Sequence, residues 1–488
     1  TLSASNTYTG TTQVSAGTLT VSGSGRLSDS TAVTVDSGAV YNVAVSDTVA
    51  SIAGAGSITL GSNTLTSGGS DASTTFSGVI SGTNGNIIKA GTGTLTLSGA
   101  NTYTGTTTIN AGDLTVSGSL HDSTAVTIAS GADYNVNASD TVASIEGAGN
   151  IVIASSQTLT AGDGNDKTLS GVISGAGNYI KAGSGTQTLT GNNSYTGSTT
   201  ISAGLLKIIR DDPTSYLAAT SGFTGPGNLT IESSGDDFTA DIVTGTHVQL
   251  AGTALGNLII GKTGNTRQID LSSDITTTGT QTYNGPVRLV GGDRTVSTTN
   301  SNVIFASTVN SDGTQRALTV TNGTGDTTFS GAIGGSAPVK SLTITSDQLT
   351  AGAITLNGAL TATLGGSSSI TGVIANGAST ANLVKAGSGT LTLSASNTYT
   401  GTTQVSAGTL TVSGSGRLSD STAVTVDSGA VYNVAVSDTV ASIAGAGSIT
   451  LGSNTLTSGG SDASTTFSGV ISGTNGNIIK AGTGTLTL

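Results

Sequence analysis

One phrase is written into this chain four times. It reads "GTGTLTLSGANTYTGTTTINAG" from Gly91 to Gly112, "GSGTQTLTGNNSYTGSTTISAG" from Gly183 to Gly204 and "GSGTLTLSASNTYTGTTQVSAG" from Gly387 to Gly408. The chain also opens on its second part, "TLSASNTYTGTTQVSAG". A recurring phrase constrains a fold more than composition does, because each copy must form the same local unit and the units must pack on one another. None of the copies contains an acid, a base, a thiol or an imidazole, so the thing repeated is not a reaction centre.

A longer period encloses the short one. Residues 1–97 recur unchanged as 392–488, an offset of 391, so that Tyr8 matches Tyr399 and Leu97 matches Leu488. The phrase tyrosines Tyr8, Tyr103, Tyr195 and Tyr399 stand 95, 92 and 204 residues apart. This divides the chain into a strand-repeat unit over 1–92, a second over 93–187, a longer divergent region over 188–391, and the start of the next period over 392–488. The divergent region holds all four prolines, and the broken alternation of "IIRDDPTSYLAATSGFTGPG" predicts a protruding insertion near 208–227.

Within each unit the texture is short and two-periodic. Leu95 and Leu97 alternate with Thr94 and Thr96, Val33 and Val35 with Thr34, and Ile58 with Thr59, each run ending in Gly, Ser or Asn. Period two over three to five residues signals short half-buried strands, and glycine interrupts nearly every window that could be helical. A four-residue strand buries too little to stand alone, but coils stacked along an axis share one core and one hydrogen-bonded ladder. The expected fold is all-β: a right-handed parallel β-helix forming one continuous elongated rod. At roughly 20 residues per coil and ~4.8 Å between strands, one 391-residue period would advance about 90 Å.

Composition enters as a set of exclusions. With 74 glycines and 9 % charged residues, disorder must be weighed, but a hydrophobic fraction of 35 % in alternation with threonine argues for a core. The net charge of −12 carries no basic stripe, so nucleic acid is not an expected partner. No apolar run is long enough for a membrane-spanning helix. The absence of cysteine excludes disulfides and thiol chemistry. Lacking methionine and a signal peptide, the chain reads as a processed piece or a window from something longer.

The run from "TTFSGVISGTNGNIIKAGTG" through "TLTLSGANTYTGTTTINAG" resembles the passenger-associated strand repeat of bacterial autotransporters. The stretch "DITTTGTQTYNGPVRLVGGDRTV" from Asp274 is similar to repeats of filamentous-haemagglutinin-type giant surface proteins. These resemblances imply a right-handed β-helix exported to the surface of a Gram-negative cell, in families made mostly of adhesins, stalks and fibres.

Candidate chemistry is sparse. His121 stands where the parallel unit has Ser28, and His247 points outward if Val248 points in; both read as turn or surface residues. Asp211 with Asp212, and Asp236 with Asp237, are sequence neighbours that face opposite ways on a strand and cannot alone form an acid–base couple. The turn Gly162–Asp166 is similar to half of a calcium-binding glycine–aspartate turn, yet the parallel unit keeps only Asp71, so a plain polar turn is expected. The Thr-x-Thr strings are spread unevenly, which argues against an ice-binding face. Arg210, Asp211, Asp212, Tyr216 and Phe223 mark a possible lateral contact within the divergent region.

The expected function is an extracellular structural fibre or adhesin stalk, without catalytic residues, metal or cofactor. The expected partners are other copies of the chain, end to end and side by side, and cell surfaces or glycans. The alternatives are a passive passenger segment that presents an effector domain, and a glycan-active enzyme on the same fold.

Overall fold

In the computed structural model, residues 1–213, 222–250 and 255–488 are described. Among them there is no helix, and the strands are two to six residues long. The chain divides into two compact units, one built on Thr1–Arg210 and the other on Glu232–Leu488.

The first unit is a stack of coils whose strands pair only with their counterparts in the coils above and below, always in parallel. One ladder runs through Thr74–Phe76, Thr94–Leu97, Gly112–Val116, Ala132–Val136, Asn150–Ile153 and Ile173–Gly175. Its register places Leu95, Leu114, Tyr134, Ile151 and Ile173 directly over one another, in steps of 19, 20, 17 and 22 residues. All five are buried. Their neighbours Thr96, Thr115, Asn135, Val152 and Ser174 form the outward file. Burial thus follows the two-residue period of the sequence, and coil length varies only at the turns.

Glycine sets one corner. Gly56, Gly78, Gly99 and Gly118 stack so closely that a Cβ built on Gly78 would lie 1.6 Å from the Gly56 carbonyl oxygen, and one on Gly99 2.0 Å from that of Gly78. No side chain fits there, so the corner admits only glycine.

The second unit follows the same plan. Leu318, Leu342, Leu360 and Leu383 form a buried file. Beside it the rings of Tyr283, Phe305 and Phe329 lie in one column, with centroids 5.1 and 4.8 Å apart and nearly parallel planes. The strict repeat of parallel register brings identical or similar side chains face to face, which favours such stacking.

Candidate functional site

The recurring phrase, with the lysine two residues before it, carries three polar devices: two tie one coil to the next and the third braces a turn within its own coil. The first is a lysine. Lys89 ends the strand Asn86–Lys89 and turns inward, almost fully buried. Its Nζ donates to the carbonyl oxygens of Ala90 at 2.7 Å, Gly91 at 2.8 Å and, in the following coil, Ala111 at 3.0 Å. Lys181 repeats this with Ala182, Gly183 and Ala203, and Lys385 with Ala386, Gly387 and Ala407. Burial lowers the pKa of Lys89 and Lys181, partly opposed by nearby aspartates. Lys385 is pushed down to about 8 by burial alone. Three carbonyl dipoles hold each ammonium in a place where an unpaired charge would be costly.

The second device is the phrase asparagine. Asn101, Asn193 and Asn397 are buried, and their Oδ1 atoms accept from the backbone N–H of Ile80, Ile173 and Ile374 in the preceding coil at 3.0, 2.8 and 2.9 Å. The third is the tyrosine. Tyr103, Tyr195 and Tyr399 are buried, with their hydroxyls 2.5–2.6 Å from those of Thr107, Thr199 and Thr403. Burial raises all three phenol pKa values, so these groups stay neutral.

A fourth device lies outside the phrase. Asp47, Asp140 and Asp438 are buried and accept from the hydroxyls of Tyr41, Tyr134 and Tyr432. They also accept from the backbone N–H groups of Leu27, Leu120 and Leu418, in the preceding coil. Burial pushes the Asp140 carboxyl up to about 6. The sequence carries a signal for these pairs in the parallel stretches "YNVAVSDTV" and "YNVNASDTV", which keep tyrosine and aspartate six residues apart.

The residues singled out for a lateral contact do not share one surface. Phe223 is buried and pairs with Thr199 in a ladder. Arg210 is also buried, its Nη1 donating to the Gly191 carbonyl at 3.0 Å. Asp211 and Asp212 are exposed, and Asp211 accepts from the N–H and hydroxyl of Ser234 at 2.7 and 2.8 Å. Tyr216 lies outside the described residues. With Arg210 and Phe223 turned inward, a lateral contact here would fall to the two aspartates.

The remaining candidates are also committed to the fold. Asp237 accepts from the N–H and hydroxyl of Thr266. In the Gly162–Asp166 turn, Asp163 binds the amide groups of Asn165, and Asp166 accepts from the N–H of Thr186. His121 Nδ1 accepts from Ser123 N–H and His247 Nδ1 from Val243 N–H, both at 3.1 Å. Val248 does point inward, while His247 is half-buried. Among the described residues no three His, Cys, Asp or Glu side chains converge on a metal position. The charges of the divergent region pair across coils, with Arg288 on Asp270 at 2.6 Å and Lys340 on Asp293 at 3.3 Å.

In one stretch of the second unit the Thr-x-Thr strings fall into register: Thr295, Thr319, Thr343 and Thr361 stand in one outward file and Ser297, Thr321, Thr345 and Thr363 in another, over four coils, and the files end at Val384 and Ala386. Unequal coil lengths of 24, 24 and 18 residues hid this register in the sequence.

Comparison with known proteins agrees with this geometry. The model of the passenger-associated-transport-repeat family matches residues 1–21, 87–116, 180–208 and 383–412. The last three segments contain the lysine devices. The adhesin BmaC autotransporter of Brucella suis biovar 1 (strain 1330) is 42 % identical over 118 residues, which cover 22 % of this chain and 3 % of that protein. No solved structure matches the chain.

Proposed function

We propose that this chain, a β-solenoid carrying autotransporter passenger-type repeats, is a structural and adhesive segment displayed outside a Gram-negative cell, where its 391-residue period, of which the next begins at residue 392, extends a filament. The observation that supports this best is the use made of the polar groups. In each complete phrase the asparagine and tyrosine, and the lysine just before it, are spent on bonds within the stack. Such a segment gains rigidity and reach with every added coil, which is what a stalk needs. The similarity to an adhesin autotransporter favours attachment to cells or matrix as the use.

The test is display and shape. Antibody against the chain is expected to label intact cells, and electron microscopy to show thin filaments with an axial repeat near the ~90 Å that stacked strands would give. Labelling only after the cells are opened would overturn the reading. Hydrolysis of a glycan panel, lost on substitution of a single carboxylate, would instead favour the enzyme.

A further inference from the structure

We propose that Asn84 is a site of spontaneous covalent modification, at which the backbone nitrogen of Gly85 displaces the side-chain amide as ammonia. This goes beyond the adhesive reading and does not depend on it.

Asparagine followed by glycine is the pair most open to this reaction, because glycine has no Cβ to hinder the approach of its nitrogen to the preceding side chain. The sequence holds six such pairs, at Asn84, Asn284, Asn322, Asn357, Asn376 and Asn475, the last being the copy of Asn84 in the second 97-residue segment. The stack ties down the four between them. Asn284 Nδ2 donates to the Gly261 carbonyl at 3.0 Å, and Asn357 Oδ1 accepts from Ser379 N–H at 3.1 Å. Asn376 is held at both ends, Oδ1 accepting from Ala381 N–H and Nδ2 donating to the Thr400 hydroxyl, each at 2.8 Å. The nitrogen that would attack it, on Gly377, is engaged with the Leu356 carbonyl at 2.6 Å. Asn322 is fully buried and accepts from the Thr327 hydroxyl.

Asn84 has none of these ties. It is exposed, and its carboxamide bonds to nothing among the described residues. The Gly85 nitrogen has one long bond, to the Gly82 carbonyl at 3.4 Å. The firm bond of this turn, from Asn84 N–H to the Thr104 hydroxyl at 2.9 Å, leaves both reacting atoms free. Asn84 also stands at φ 59°, a region costly to any residue but glycine, so its rotation towards ring closure starts from a raised level. The glycine is not negotiable. A Cβ on Gly85 would lie 2.6 Å from Leu60 Cβ, so packing demands the very residue that makes Asn84 labile.

In the step, a bond forms between Gly85 N and Asn84 Cγ while the Cγ–Nδ2 bond breaks, and ammonia leaves with the proton of the glycine nitrogen. Water then opens the cyclic imide at either carbonyl, giving aspartate or isoaspartate. Both products add a negative charge, and isoaspartate also inserts a main-chain carbon into the turn that leads to the strand Asn86–Lys89.

The full chain carrying N475Q tests this, because the substitution makes the peptide around Asn84 distinguishable from its identical copy. The folded chain is held in mildly alkaline buffer, digested at intervals and read by mass spectrometry. The Asn84 peptide is expected to gain the mass difference between an amide and an acid and to split into two products. Its rate should exceed that at Asn376 at least about tenfold, equivalent to about 1.4 kcal/mol of barrier. The unsubstituted chain, in which the two copies report together, should show the same excess. In urea strong enough to unfold the chain the rates at Asn84 and Asn376 should converge. An Asn84 that stays intact, equal rates in the folded chain, or an excess that persists in urea would each overturn the proposal.

Discussion

The ammonium of Lys89 reaches 3.0 Å across the coil boundary to the carbonyl oxygen of Ala111, after taking two carbonyls from its own turn. Lys340, by contrast, is more than half exposed and pairs with Asp293 at 3.3 Å. K89M leaves buried carbonyls without their charged donor and is expected to destabilise its coil by about 1–3 kcal/mol. K340M should change stability by less than about 0.5 kcal/mol. Denaturant midpoints of the two variants check this, and equal losses would contradict it.

Asp140 makes the fold more stable in mild acid than at neutral pH. Its carboxyl is raised to about 6 by burial, against an ordinary value of 3.8. Between these values the folded chain keeps a proton that the unfolded chain has released. The associated stability is complete below about pH 4 and is lost as pH rises through 6, an effect on the order of 2–3 kcal/mol. Amide exchange at Leu120, whose N–H bonds the carboxyl, should therefore be slower at pH 5 than at pH 7 after correction for the intrinsic rate. D140N should flatten that dependence.

The glycine corner predicts a steep contrast between two similar substitutions. A Cβ at Gly99 would meet the Gly78 carbonyl oxygen at 2.0 Å, while one at Gly69 would meet nothing within 4 Å. G99A must push two coils apart and should lower the thermal midpoint by several degrees or prevent folding. G69A should leave it within the ±0.5 kcal/mol typical of surface changes.

In the second unit, Phe305 is the middle ring of the column between Tyr283 and Phe329. F305A removes both ring contacts and opens a cavity, for an expected loss of about 3–5 kcal/mol; F305L should lose less. Calorimetry of the two variants measures the difference.

The periodicity of Leu95, Leu97 and Ile109 was enough to place the core, because a parallel stack buries every second residue of each strand. The stacked glycines and short turns were legible for the same reason. What the sequence concealed were pairings that depend on coil length. The threonine files over 295–363 appear only when steps of unequal length are laid in register. Lys89 reads as a surface charge until the turn that folds three carbonyls around it is known. Arg210 and Phe223 likewise suggested an outer contact because the broken alternation around them gave no sign of which way they faced.

Identical residues over 1–97 and 392–488 have a consequence for inheritance. The segments that flank residues 98–391 are interchangeable, so recombination within them can add or remove a whole 391-residue period without creating a single new junction. The number of stacked coils can then vary in fixed increments, while every surviving coil keeps the neighbours it already had.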